Sequence, residues 1–258
     1  MNQTERRIFL IKYLLSEENF TSAIPPDEAT QKRMLRAYMN VRMPRETSEE
    51  FLRVQDEYLR EELRLKGITD IADLTPVAPD LYLWQGDITT LKCDGIVNAA
   101  NSQMLGCFQP NHGCIDNAIH TYAGVQLRAE CAALMSAQEG LEPTGRAKIT
   151  KAYNLPCKYV LHTVGPIVTG ALDYKHEIRL SDCYRSCLAL ADKNGLKSLA
   201  FCCISTGEFR FPNDRAAEIA VQTVKAYKRV TGSPIKVIFN VFKDIDRDVY
   251  ARLLDTNE

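Results

Sequence analysis

Residues 198–231 read SLAFCCISTGEFRFPNDRAAEIAVQTVKAYKRVT, and they decide the fold class. An apolar, strand-like run at 198–204 leads into the small residues Ser205-Thr206-Gly207, and a helix-like run follows over 213–231. Another strand-like run, 235–242, comes directly after. Working outward, the same alternation fills the chain from about residue 76. Strand-like runs fall at 81–85, 95–98, 148–153 and 159–164, and helix-like runs near 115–138, 176–194 and 245–255. Alternating strands and helices predict an α/β fold: a mixed, mostly parallel sheet with helices on both faces.

Before residue 75 only helices are legible. Ile8, Ile11, Leu14 and Leu15 recur at helical spacing. Asp27 caps a second helix through Met39, after the Pro25-Pro26 break. Thr47 with Glu50 has the form of a capping box for a third, running toward Lys66 and stopped by Gly67. The stretch 75–80 reads as a linker, so residues 1–75 are expected to be a helical extension and 76–258 the α/β domain. The apolar stripes of the extension favour packing on the sheet.

Composition excludes several classes. Of 258 residues 45% are apolar and 25% charged, and 32 basic against 33 acidic side chains leave a formal charge of −1. A broad electrostatic footprint for nucleic acid or acidic membrane is therefore not expected, and any anion must be held locally. No apolar run approaches the ~20 residues of a membrane helix. The N-terminal apolar run is broken at Lys12, and no small-residue cleavage site follows before Glu17-Glu18, so it reads as an amphipathic helix and not a signal peptide. Nine cysteines, most within apolar segments, fit reduced thiols and a cytoplasmic protein.

In parallel sheets ligands bind beyond the carboxyl ends of strands, and four loops there carry candidate chemistry. Gln85-Gly86-Asp87-Ile88-Thr89 places a carboxylate after a strand, although a plain Gly-Asp turn reads the same way. Asn98-Ala99-Ala100-Asn101-Ser102 offers two amides to a polar ligand, though asparagine is also common in turns. Cys107, His112 and Cys114, spaced Cys-x4-His-x-Cys, put two thiolates and an imidazole in one glycine-containing loop. Zinc favours such ligands, and three of them leave a position open for water or substrate. The alternative is cysteines packed as small hydrophobes. Ser205 to Pro212, before a helix start, can form an anion site of backbone N–H groups, with Phe209 and Phe211 walling a sugar or base. His120 and His162 read as satisfied core or strand-end histidines, and Cys183 and Cys187 as a helix face turned to the sheet.

Taken in order, Gly86-Asp87-Ile88-Thr89, Asn98-Ala99-Ala100-Asn101, Ile115-Asp116-Asn117-Ala118-Ile119-His120, His162-Thr163-Val164-Gly165-Pro166 and Ile204-Ser205-Thr206-Gly207 resemble the macrodomain family, which binds ADP-ribose. The match covers roughly residues 80–256 and looks like the MacroD-type branch, with a three-layer α/β/α fold. Cys107, His112 and Cys114 stand where that branch carries a glycine-rich loop. This is similar to zinc-dependent macrodomains of certain bacteria, whose helical N-terminal extension would match residues 1–75.

The resemblance implies a zinc-dependent hydrolase that removes mono-ADP-ribose, carboxylate-linked, from modified proteins. By the same resemblance its partners are a sirtuin-like ADP-ribosyltransferase and a lipoyl-carrying glycine-cleavage H-like protein. It further implies that Asp87 contacts the adenine amino group with Ile88 beside the ring and Phe242 stacked on it. Ser205, Thr206, Gly207, Glu208 and Phe209 would hold the diphosphate, with Ile115 also in the ADP-ribose site. Asn101 would orient the distal ribose with Asp116 near it, and Asn101, Asp116 and Cys114 would carry the chemistry. The other readings are a non-enzymatic ADP-ribose reader with structural zinc, or a hydrolase of acetyl or phosphate derivatives of ADP-ribose. A paired-glutamate loop for chain cleavage is missing, since Glu208 stands alone.

Overall fold

Three helices open the chain in the computed structural model, which describes residues 1–255: α1 (Gln3–Glu17), α2 (Glu28–Val41) and α3 (Glu49–Lys66). Each begins on a side chain that accepts an otherwise unpaired backbone N–H: Asn2, Asp27 and Ser48. The third cap lies one residue beyond the expected Thr47. Ser48 Oγ accepts from Phe51 N–H, while the Thr47 hydroxyl is engaged by Arg42 at 2.9 Å. Gly67 ends α3 at φ 88°, a conformation other residues rarely adopt.

The stripes of these helices do not lie on the sheet. Leu10, Ile11, Leu14, Leu35, Phe51, Val54 and Tyr58 form a core of their own, joined from the α/β layer by Val125. The chain then pairs β1 (Thr69–Asp70) in parallel with β3 (Leu91–Lys92), reinforced by a 2.7 Å Lys92–Asp70 ion pair.

The main sheet holds β2 (Leu81–Gln85), β4 (Gly95–Ala100), β5 (Ala147–Lys151), β6 (Tyr159–Val164), β7 (Ser198–Phe201) and β8 (Lys236–Val241). Its order is β2-β8-β7-β4-β6-β5, and every neighbouring pair is parallel except β5 with β6. One face is covered by α4 (Ile115–Ala123) and α5 (Val125–Ser136), the other by α6 (Tyr174–Lys193), α7 (Asn213–Thr231) and α8 (Asp244–Asp255). This is the α/β fold expected from the alternation. Buried β4, β6 and β8 read as near-continuous apolar runs because both faces are covered. Cys183 and Cys187 are fully buried on α6. No helix among the described residues is long and apolar enough to cross a membrane.

The helix expected over 115–138 is two helices. Gly124, at φ 97°, separates them, and a Cβ there would lie 2.7 Å from Gln55 and Gln126 side-chain atoms. Gln55 of α3 uses that closeness, its Oε1 accepting Val125 N–H at 2.9 Å, so the extension caps the start of α5.

Arg128 on α5 ties the layers together. It is 5% exposed and has no ion pair among the described residues. Its guanidinium donates to Leu105 O at 2.7 Å, to Met39 O at 3.1 Å and to Arg42 O, and it stacks on Phe108 at 4.4 Å. Arg128→Met, which keeps the stem and leaves three carbonyls without a donor, should lower unfolding free energy by about 3 kcal/mol. A urea midpoint within error of the parent would contradict this.

Candidate active site

Strand β4 has β6 on one side and β7 on the other, so the loops leaving the carboxyl ends of β4 and β7 diverge from adjacent parallel strands. A cleft at such a switch point is where open α/β sheets bind ligands. Residues 101–114 form one wall and residues 202–212 the other. The ends of β2 and β8, also paired, extend the line to Asp87 and Phe242.

The first wall is a tight loop with positive φ at Met104, Gly106 and Asn111. Gly106 is required there, because a Cβ would sit 2.8 Å from the His120 ring. The loop brings Cys107 Sγ to 3.7 Å from His112 Nδ1, and the ligand atoms of Cys107, His112 and Cys114 all lie within 4.8 Å of one another. Tetrahedral coordination at zinc bond lengths puts a sulfur and a nitrogen ligand about 3.6 Å apart. The donor types and the Cys107–His112 spacing therefore fit a divalent cation of that preference.

Burial, together with the charges of Cys107 and Asp116, pushes the Cys114 thiol up to about 12. A cation between the sulfurs would remove that obstacle to ionisation. Cys114 also caps α4, its Sγ accepting Asn117 N–H at 3.4 Å.

The loop is held from two sides. Asn117 Nδ2 donates to Gln109 O at 3.0 Å, and its Oδ1 accepts from Arg36 at 2.8 Å. Arg36 also donates to His112 O at 2.9 Å, and Asn40 Oδ1 accepts Asn111 N–H at 2.9 Å. Arg36 and Asn40 lie on α2, so the N-terminal helices frame the loop. On the cleft side His112 Nε2 lies 3.4 Å from Glu208 Oε1, which is where the two walls meet.

Beneath the loop is a buried polar network. Parallel register sets Asn98 beside His162, and Asn98 Nδ2 reaches both Asp116 Oδ1 at 2.7 Å and His162 Nδ1 at 3.1 Å. With Nδ1 accepting, His162 carries its proton on Nε2, directed at Thr150 Oγ1 2.9 Å away. Burial pulls His162 down to about 3, so the ring is neutral, and burial raises Asp116 to about 6 against the opposing Asn98 hydrogen bond. Asn101 Nδ2 reaches Asp116 Oδ2 at 3.4 Å and Gly106 O at 3.0 Å. The two amides of the Asn98–Asn101 motif thus divide: Asn98 is fully buried beneath Asp116, and only Asn101 reaches the cleft.

His120 departs from the expectation of a satisfied core histidine. It is buried with neither ring nitrogen hydrogen-bonded among the described residues, and its Nε2 is 3.5 Å from Asp116 Oδ1. The signal for it was present: His120 is four residues after Asp116, on the same face of α4. Cys131 lies with His120 and His162 in the same buried cluster.

In the second wall the strand ends at Phe201, earlier than its apolar run suggests, and the chain turns sharply at Ser205, φ 66°. Arg210 N–H donates to Gly207 O at 3.0 Å and Phe211 N–H to Ser205 O at 2.9 Å, whereas the N–H groups of Gly207, Glu208 and Phe209 meet no acceptor among the described residues. Three consecutive free amides, beside a helix α7 that begins without a side-chain cap, make a place for an anion. Thr206 is occupied locally, its hydroxyl donating to Cys203 O at 3.0 Å. Gly165 admits the turn: a Cβ there would be 2.0 Å from Ser205 Oγ, a buried oxygen without a partner. Phe211, read as a possible wall of the site, is 1% exposed and belongs to the core, so Phe209 alone remains at the surface.

At the far end Asp87 Oδ1 accepts from Thr89 N–H at 3.0 Å and from its hydroxyl at 2.6 Å. Ile88, read as lying beside the base, is 2% exposed and belongs to the core. Phe242 is 75% exposed just past β8. Ile115 is half-buried at the first turn of α4.

The Macro domain family profile matches residues 97–220. The protein-ADP-ribose hydrolase of Treponema medium is 59% identical over 98% of this chain and 100% of its own. That of Staphylococcus aureus (strain MSSA476) is 48% identical over 93% of each. Among solved structures, the Trypanosoma brucei macrodomain in complex with ADP-ribose superposes with a TM-score of 0.66 at 31% identity, covering 91% of this chain and 99% of that one. The Oceanobacillus iheyensis macrodomain with ADP gives 0.62 at 33%, covering 70% and 93%.

Asn117 links α2, α4 and both ends of the Cys107–Cys114 loop, so Asn117→Ala should cost about 2 kcal/mol of stability. Chemical denaturation of the variant checks this, and an unchanged midpoint would mean the loop stands without it.

Proposed function

The chain belongs to the macrodomain family, among protein-ADP-ribose hydrolases, and on that premise we propose that it releases mono-ADP-ribose from protein carboxylates with the help of zinc. One observation carries the reading. The Cys107–His112–Cys114 set and the Asn101–Asp116 pair sit on one continuous loop and helix, and His112 of that loop approaches to 3.4 Å the side chain of Glu208, the middle of the three residues with free amides.

The diphosphate lies on the N–H groups of Gly207, Glu208 and Phe209, flanked by Ser205 and Thr206. The adenine sits beside Ile88, between Asp87 and the ring of Phe242. Asn101 orients the distal ribose over Asp116, with Ile115 against its edge. Fixing the diphosphate and base holds the scissile C1–O bond in place, so remote binding energy serves the chemical step.

When bound, zinc supplies an open coordination position that orients ribose oxygens, two thiolate ligands favouring this templating over acidification of water. Glu208, whose Oε1 lies 3.4 Å from His112 Nε2, is placed to attract a proton on that nitrogen, which would leave Nδ1, the nitrogen beside Cys107 Sγ, as the metal-facing one. Asp116 keeps Oδ1 on Asn98 and takes the proton of the attacking water on Oδ2. The water oxygen bonds to C1 as the C1–O bond breaks, and the acceptor departs as its carboxylate. The sirtuin-like transferase, the lipoyl-carrying H-like acceptor and a cytoplasmic setting enter this proposal on the resemblance of the sequence alone.

Release of ADP-ribose from a carboxylate-linked mono-ADP-ribosylated protein tests it. Chelator-stripped enzyme should lose turnover and regain it with zinc, and zinc-loaded protein that binds ADP-ribose yet releases none would be a reader. Cys114→Ser keeps a helix cap but is a poor metal ligand. It should lower turnover by roughly 100-fold, with ADP-ribose affinity nearly unchanged; equal losses by kinetics and calorimetry would break the division of labour. Gly207→Pro deletes one of the three free amides and should weaken ADP-ribose binding by about 10-fold or more. Calorimetry showing parental affinity would remove that amide from the site.

A further inference from the structure

Helix α3 ends in space where the turn carrying Asp87 begins. Lys66, its last residue, places Nζ 2.7 Å from Asp87 Oδ2 and 3.7 Å from the centre of the Tyr122 ring. The ammonium is thus shared between a carboxylate and an aromatic face, an arrangement favourable to a cation on both counts. The connection is not a chance surface pair. Directly beyond Gly67 the chain forms β1, which pairs with β3 four residues past Asp87, and Lys92 closes on Asp70. The end of α3 and the 87–92 turn are therefore fastened at two successive points.

We propose that Lys66, from the N-terminal helices, is a positioning residue for the purine of the bound nucleotide, holding Asp87 so that it accepts a 6-amino group and rejects a 6-oxo group. This rests on the reading that Asp87 faces the adenine. Thr89 occupies Oδ1 with two donors, and Lys66 is the one partner of Oδ2 among the described residues. A carboxylate oxygen has two acceptor positions, so one on Oδ2 stays open. Burial raises the Asp87 carboxyl, but Lys66 and Thr89 outweigh it and hold the group below its usual range. The aspartate is thereby a pure acceptor. An exocyclic amine donates to it, whereas a carbonyl at the same ring position would set two acceptors against each other. Specificity of this kind, where a mismatched polar group is left unpaired, is steep.

The test compares binding of ADP-ribose and its hypoxanthine analogue, IDP-ribose, by calorimetry. The parent protein should prefer ADP-ribose by 10-fold or more, on the order expected for a charge-assisted hydrogen bond. Lys66→Met keeps the stem over Tyr122 and should shrink that preference several-fold, mainly by weakening ADP-ribose, with Lys66→Arg restoring part of it. In an Asp87→Asn background the same change should do nothing further. A Lys66→Met preference equal to the parent's, equal losses for both nucleotides, or tighter ADP-ribose binding would each overturn the proposal. A parent that binds ADP-ribose without preferring it to IDP-ribose, or fails to bind it, would instead overturn the placement of adenine at Asp87, and the proposal with it.

Discussion

A guanidinium buried without a carboxylate in contact must spend its donors on something, and Arg128 spends them on backbone carbonyls from two distant segments. Two belong to the end of α2 and the residue after it, one to the loop that enters the cleft wall. Such a charge is tolerated in the interior only while those acceptors stay in place. The end of α2, the loop before Cys107 and the body of α5 consequently have one relative position, and burial lowers Arg128 to about 10 without depriving it of charge at neutral pH. The geometry of the Cys–His–Cys loop depends on this pin.

The same economy of partners organises the floor of the cleft. His162 is neutral, so Asn98 can donate to it and to Asp116 at once. A protonated ring would turn that acceptor into a donor and release the amide. Asn98 therefore serves as a wedge that sets the direction of Asp116, and Asn101 meets the other carboxylate oxygen from the cleft side. The free amides at 207–209 are the complement. They are left without acceptors by a turn at Ser205, which packs against Gly165 so closely that a Cβ there would collide with Ser205 Oγ, so the two walls offer a carboxylate on one side and hydrogen-bond donors on the other.

The N-terminal helices are part of this site as well as a support for it. Arg36 and Asn40 hold the loop that carries the sulfurs, Gln55 caps α5, and Lys66 grips Asp87. Every one of these contacts comes from a polar residue on α2 or α3, helices whose apolar side chains share one core with α1. The bundle's own core leaves its polar edges free to act on the α/β layer.

Periodicity in the sequence was enough for the strands of the main sheet and most of the helices, because both-face burial of β4, β6 and β8 leaves unbroken apolar runs and amphipathic helices leave stripes, whereas the two-residue strands β1 and β3 are too short to leave a pattern. Spacing alone placed Cys107, His112 and Cys114 near one another, since all three lie within eight consecutive positions and a short loop cannot take them far apart. It could not show that Asn98, Phe211 and Ile88 face inward, or that Gly124 divides a helix, since each depends on what stands opposite. Nor could it show His162 beside Asn98, Lys66 on Asp87 or Arg36 on His112, pairs separated by 64, 21 and 76 residues. Such contacts are set by strand register and helix docking, which only the folded chain defines.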